Sequence, residues 1–407
     1  MSLFDNLFLF LDMLFTFPNF NLYSTPLLIL VLQGLLFSFL LFRRFFQQRY
    51  LSDLFLACIL LITCYHRTSY TIGFMDWYDT FRNTKINYWL APLQLIFAPC
   101  LYFYVRSVTN ANFKLTKKHI WHFVPGIVFL IYRYGIFIYD AQQPGFADTQ
   151  NGVLFEGFHF KYINPLYFIV SNFQLLLYFA FSFQLYFAHR KHIQHYFSNT
   201  YKLELNWLRN FLFVYAFLFL YGVTQDLIDS SMFNLTWTQE WWYHFISAIV
   251  IIYVGIKGYF TKTDTLSKLK FSIQEVAVPE KRNNIVSTSE VSNEIINRKK
   301  LLDIYMTDEK PYLNPDINLI ELAEKVRLTR AQLSEVINVG YGNNFNDFIN
   351  KYRVDAVQQM IENGKHEQLS LLGIAYECGF NSKATFNRVF KKFTQISPTE
   401  FAKTISA

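Results

Sequence analysis

Seven apolar runs between residues 26 and 259 limit what this chain can become more than any other feature. They cover residues 26–42, 54–74, 88–105, 120–139, 163–187, 208–227 and 242–259. Each is close to the ~20 residues that cross a bilayer as a helix. Hydrocarbon offers the backbone no hydrogen-bond partners, so such runs have to be helical. The expectation is a seven-helix transmembrane bundle over residues 26–260. Composition agrees: the chain is 52% hydrophobic and 20% aromatic but only 16% charged, too apolar for an ordinary soluble protein. Residues 1–25 are apolar but interrupted by Asp5 and Asp12, with no basic region ahead of them. They read as an extracytoplasmic, interfacial segment rather than a cleaved signal peptide.

Loop charge gives the expected orientation. Arg43, Arg44 and Arg49 follow the first run, Arg106, Lys114, Lys117 and Lys118 the third, and Arg190, Lys191 and Lys202 the fifth. Lys257, Lys262 and Lys268 flank the end of the seventh, while the alternate loops hold Arg82, Lys85 and Lys161 with Asp76, Asp79, Asp140, Asp148, Glu156, Asp229 and Glu240. Positive loops mark the cytoplasmic side, which puts the N-terminus outside and the C-terminus inside. All seven tryptophans fall in loops or at run ends, where an indole can bury its ring and keep its N–H wet.

Several polar side chains interrupt the apolar runs. His66, Arg67, Gln94, Arg133, Gln225, Asp226 and His244 all fall in the outer half of this topology. Intramembrane ionisable groups usually face the bundle interior and pair. They are expected to line an outward-facing sensor pocket, with Asp226 balancing Arg67 or Arg133. The plainer alternative is that the arginines snorkel to the headgroups and the others bond neighbouring helices.

Beyond residue 260 the composition changes. Residues 261–292 are polar, with one proline and several Ser, Thr and Asn, and read as a juxtamembrane segment and linker; Lys262, Lys268 and Lys270 fit a solvated face, the plainer reading, or contact with anionic lipid. A helical pattern returns over 293–407, beginning with Ile296, Leu301, Leu302, Ile304 and Tyr305. Asn318 with Glu321, and Thr329 with Gln332, form capping-box patterns at two helix starts. The second of these helices keeps Leu333, Val336 and Ile337 inside and presents Arg330, Gln332, Ser334, Glu335 and Asn338. Asn344 caps a long helix striped by Phe348, Ile349, Tyr352, Ala356 and Met360. At 1.5 Å per residue its ~18 residues make a rod of about 27 Å.

Residues 374–401 read as a short helix, a turn at Gly379, and a second helix capped by Asn381 or Ser382. Phe386, Val389, Phe390 and Phe393 repeat at i, i+3, i+4, i+7 and make a buried stripe. Ser382, Lys383, Thr385, Asn387, Arg388, Lys391 and Lys392 are left for a cationic, hydrogen-bonding face, which suits a DNA major groove. The wording resembles the AraC/XylS family of transcription regulators, whose signature runs roughly IAxxxGFxSxSxFxRxFKKxxGxSPxxYR. It is carried here by Ile374, Ala375, Gly379, Phe380, Ser382, Phe386, Arg388, Phe390, Lys391, Lys392, Ser397 and Pro398. Gln395 stands where that pattern has glycine, Phe401 where it has tyrosine, and Ala402 where it has arginine.

The resemblance implies an all-α double helix-turn-helix domain on the cytoplasmic side that binds double-stranded promoter DNA. The long helix would hold two recognition helices about one DNA turn, ~34 Å, apart. Lipid bilayer, RNA polymerase, a small-molecule or envelope signal and a second copy of the chain complete the expected partners. No HExxH, GxSxG or P-loop pattern occurs. Cys58, Cys64, Cys100 and Cys378 lack CxxC or ligand-like spacing, so the reading is non-enzymatic, with no cofactor or metal. The competing reading is a transporter or receptor whose tail serves regulation or protein interaction.

Overall fold

The computed structural model describes residues 17–81, 83–110, 113–198, 205–231, 235–260 and 288–406. Among them every regular element is helical, and the one β contact is an isolated antiparallel bridge between Phe197 and Asn318. The chain divides into two compact units, residues 1–186 with 206–272 and residues 187–205 with 273–407. This departs from the expected 26–260 boundary, because residues 187–205 group with the C-terminal unit. The interfacial stretch through residue 16, Lys202, and the linker residues 261–287 with Lys262, Lys268 and Lys270 lie outside the described residues.

The first unit is built on α1 (Ser24–Gln48), α2 (Leu51–Gly73), α3 (Gln94–Thr109) and α4 (Val124–Asp140), followed by α5 (Asn164–Tyr196), α6 (Asn206–Ser231) and α7 (Trp237–Phe260). Alone or with the helical turns that lead into them, seven segments among the described residues are long and apolar enough to cross a membrane. They overlay the seven apolar runs of the sequence. Close approach needs small residues, and Gly34 of α1 shows why. A Cβ there would lie 2.4 Å from Ile251 and 2.5 Å from Cys64, so α1 meets both α7 and α2 through a hydrogen atom. Arg44 of α1 then holds Asp53 of α2 with two bonds of 2.6 Å and reaches the Tyr259 carbonyl of α7 at 2.5 Å.

The second unit holds α8 (Thr288–Asp308), α9 (Leu319–Lys325), α10 (Arg330–Glu335), α11 (Phe345–Glu362), α12 (Leu371–Glu377), α13 (Lys383–Thr394) and α14 (Pro398–Ser406). On α8 the inward residues are Leu302 and Met306, whereas Ile296, Leu301 and Ile304 are exposed, contrary to the expected apolar face. The α11 stripe also differs. Tyr352, Ala356 and Met360 are only partly buried, while Val354, Val357 and Ile361 are fully enclosed. The physical reason is that α11 has partners on two sides. Phe348 packs edge-on against Tyr341, and Val354, Val357 and Ile361 join Ile374, Ala375, Phe386 and Phe390 in the core of the second helix-turn-helix.

Arg353 is the polar centre of this unit. It is 2% exposed. Its Nε donates to the Tyr312 carbonyl at 2.8 Å, and its Nη2 to the Asn314 carbonyl at 2.8 Å and the Ser198 hydroxyl at 3.2 Å. Ser198 is fixed in turn, donating to the Ile317 carbonyl at 2.7 Å, and its own carbonyl accepts from Asn346 at 2.7 Å. Burial pulls the guanidinium down to about 10, which leaves it charged at neutral pH. Arg353→Met is expected to destabilise this unit by about 1–3 kcal/mol, because the Tyr312 carbonyl loses its guanidinium donor and the Asn314 carbonyl keeps only the long 3.4 Å bond from the Ile317 amide. Calorimetry of the full chain checks this; an unchanged melting temperature would refute it.

Candidate DNA-binding interface and bundle cavity

The second helix-turn-helix turns at Gly379, whose φ is +86°. A Cβ there would meet the Tyr312 carbonyl oxygen at 2.4 Å and the Leu313 oxygen at 2.9 Å, so no larger residue fits. Ser382 then caps α13, its hydroxyl accepting from the Thr385 amide at 3.2 Å. Phe386, Val389 and Phe390 are buried, and Phe401 of α14 stacks edge-on against Phe390 at 5.6 Å. Ser397 and Glu400 cap each other ahead of α14, with Pro398 at its first position. α13 is therefore held at both ends and along one side.

The opposite side of α13 exposes Lys383, Asn387, Arg388, Lys391 and Lys392, five of the seven residues expected there. Thr385 is not among them: it is 7% exposed and accepts a 2.8 Å bond from the Ser382 hydroxyl, so it belongs to the cap. Ser382 is half-buried for the same reason. Lys392 is engaged as well, at 2.6 Å from Asp347 of α11. The periodicity found the face, but the capping geometry and the long-range ion pair have no signature in it.

The first helix-turn-helix is formed by α9 and α10. Thr329 and Gln332 make the expected capping box, which turns the Gln332 side chain back onto the Thr329 amide at 2.9 Å and away from any ligand. Arg330 is half-buried, its guanidinium 5.5 Å from the Tyr196 ring. Ser334 is half-buried and accepts from Asn338 at 3.2 Å. Only Glu335 and Asn338 of the five expected residues are exposed. α10 is six residues long and continues as a wider π turn, Val336–Gly340, so the outward direction drifts from the α-helical register.

In the first unit a cavity of about 140 Å³ opens among α2, α3, α5, α6 and α7. Of the seven expected pocket residues His66, Arg67, Gln94 and Asp226 line it, together with Asn172 and Tyr243. Arg67 is buried; its Nη1 meets His244 Nδ1 at 2.8 Å and its guanidinium lies 4.7 Å from the Tyr243 ring. His66 Nε2 accepts from the Leu93 amide at 3.0 Å, and Gln94 donates to Asn172 at 3.0 Å. Gln225 is not on the wall, and His244 reaches the site only through Arg67.

Arg133 stands apart. Its Nη1 meets His159 Nε2 at 2.6 Å, its Nη2 bonds the Asn87 carbonyl, and its guanidinium lies 4.6 Å from the Phe155 ring. Asp226 forms an ion pair with neither arginine, contrary to expectation. Facing residues on five helices cannot be inferred from run boundaries alone, which is why Asn172 and Tyr243 escaped the list and Arg133 entered it. Among the described residues no cluster of His, Cys, Asp or Glu could hold a metal ion.

Residues 322–404 match the helix-turn-helix domain family. Over 91 residues the chain is 32% identical to an uncharacterised HTH-type transcriptional regulator of Haemophilus influenzae, covering 22% of this chain and 30% of that protein. It is 27% identical over 105 residues to the HTH-type transcriptional regulator CdhR of Pseudomonas aeruginosa, covering 26% and 30%. A 138-residue match at 27% identity covers 34% of this chain and 76% of an uncharacterised HTH-type transcriptional regulator of Pseudoalteromonas carrageenovora. The chain therefore spans 30% of the length of the first two relatives. No solved structure matches it. The C-terminal part is thus similar to a helix-turn-helix domain and to part of proteins named as HTH-type transcriptional regulators.

Gln395 makes a separate prediction. It ends α13 with φ +67°, its amide bonded to the Lys391 carbonyl at 2.9 Å, so the left-handed cap is kept without glycine. Gln395→Gly is expected to stabilise the domain by about 1 kcal/mol through relief of that backbone strain. Equilibrium denaturation of the two chains decides it, and a loss of stability would mean that the side-chain bond from Gln395 to the Lys392 carbonyl outweighs the strain.

Proposed function

We propose that this protein is a one-component transcription regulator anchored in a bacterial inner membrane. In this reading α1–α7 cross the bilayer with the N-terminus outside, and the C-terminal unit binds double-stranded promoter DNA in the cytoplasm. The observation that carries it is α13: a capped helix locked by Phe386, Val389 and Phe390, with Lys383, Asn387, Arg388 and Lys391 exposed on its other side. α13 would enter one major groove, and α10, which exposes Glu335 and Asn338, would contribute readout in the next.

Signal sensing is assigned to the cavity of the first unit. α5 and α6 both line it, and α5 continues to Tyr196, within residues that group with the C-terminal unit. A change in the cavity would therefore be felt by the segment that holds Ser198 against Arg353. The exposed Leu301 and Ile304 of α8 would suit pairing with a second copy, raising effective concentration on tandem sites. Contact with RNA polymerase would follow from promoter binding.

Genome-wide occupancy of the full-length protein tests the reading. Discrete promoter peaks are expected, with peaks lost or redistributed in Arg388→Ala; no peaks and no binding by the purified protein would overturn it. The two cations should differ in kind. Arg388→Ala should relax base preference at one position by about 1–3 kcal/mol. Lys391→Ala should weaken all sequences alike and reduce the salt slope by about one contact. Equal effects on specificity from both variants would remove Arg388 from base readout.

A further inference from the structure

We infer that the cavity of the first unit is a binding site for a small carboxylate that carries a hydrogen-bond donor at its other end. The inference names the signal of the regulator proposed above, and to that extent rests on it. Arg67 is 9% exposed and lines the cavity. One of its three nitrogens is used, Nη1 on His244, while Nε is buried without a partner and Nη2 has no acceptor among the described residues. A buried guanidinium with unfilled donors inside an apolar helix bundle is costly unless an anion completes it. A carboxylate matches the planar donor fork in charge and geometry.

The remaining wall sets the rest of the ligand. Asp226, the exposed carboxylate of the lining, would repel an anion alone, whereas a hydroxyl or ammonium group would be held there. Phe97, Phe179, Phe219 and Leu218 make the rest of the lining largely apolar. The volume of about 140 Å³ is close to the ~150 Å³ cavity that accepts benzene in another protein, which indicates about six to ten non-hydrogen atoms. A hydroxylated or amino-substituted carboxylic acid with a short or single-ring body fits all three conditions.

The experiment measures binding to the purified full-length protein in lipid nanodiscs, with hexanoate, 4-aminobutyrate, benzoate and 4-hydroxybenzoate as probes, each beside its primary amide, which lacks the carboxylate charge. At least one acid is expected to bind tenfold or more tightly than its amide, and the donor-bearing acids more tightly than those without. Arg67→Gln should erase the acid-over-amide ratio. Asp226→Asn, a change at an exposed carboxylate that leaves the fold intact, should erase only the preference for the donor-bearing acids. Amides that bind as well as acids, a ratio that survives in Arg67→Gln, or no binding by any probe would overturn the inference and leave a water-filled cavity. Enrichment of genomic fragments by the same preparation separates the two readings. DNA bound without acid selectivity sinks the ligand alone, and acid selectivity without DNA sinks the regulator.

Discussion

The C-terminal unit depends on one buried cation. Arg353 sits on the long helix α11 and donates to two carbonyls of the 310–318 connection, Tyr312 and Asn314, the second of which otherwise has only the 3.4 Å bond from the Ile317 amide. Gly379 comes within 3.0 Å of the Arg353 Nε by the measure of an added Cβ, so the turn of the second helix-turn-helix closes over the same group. The 310–318 connection, the hinge of the second motif and residue 198 are all fixed through one side chain. A guanidinium suits this task because it offers five donors in a rigid plane and stays charged even where burial lowers its pKa. A neutral side chain of similar size would remove both donors from this connection.

That arrangement explains which parts of the structure were legible in the residues. Helix starts were, because caps are local: Asn318, Thr329, Asn344 and Ser382 all cap the helices that follow them. So were the apolar runs, since length and composition alone define them. The buried stripe of α13 was also readable, as its period matches a helix with one partner. The same logic failed on α11 and α8, where period alone does not say how many neighbours a helix has or which side they occupy. It failed again at residues 187–205. Nothing in the order of the chain places Ser198 beside Ile317 and Arg353, more than a hundred residues away.

The exposed side of α13 shows a related limit. Charge and period put Lys392 and Thr385 on one face with Arg388, but the fold gives each a job within the protein. Thr385 closes the cap with Ser382, and Lys392 pairs with Asp347. The Lys392 pair is half-exposed on the lysine side, and such pairs contribute only about 0.2–1 kcal/mol. A phosphate could therefore take Lys392 from Asp347 at small cost, whereas drawing Thr385 out would uncap the helix. The two departures from the expected face differ in what they mean for binding, and the difference lies in solvent exposure.

The apolar unit poses the same question three times, since Arg44, Arg67 and Arg133 all lie in or beside its helices. Arg44 has a carboxylate, Asp53, which accepts two of its bonds. Arg133 has His159 and the Asn87 carbonyl, and a ring face beneath it. Arg67 has one histidine nitrogen and a tyrosine ring. Arg44 is closed by the protein, in keeping with the cost of burying a charge without full hydrogen bonding. Arg133 keeps one buried nitrogen, Nε, without a partner, and Arg67 bonds the protein through Nη1 alone. Of the three arginines, the one with the fewest bonds to the protein is also the one on the wall of a cavity, which Asp226 lines as well. Stability alone gives no reason to keep those two charges apart, whereas a ligand that joins them does.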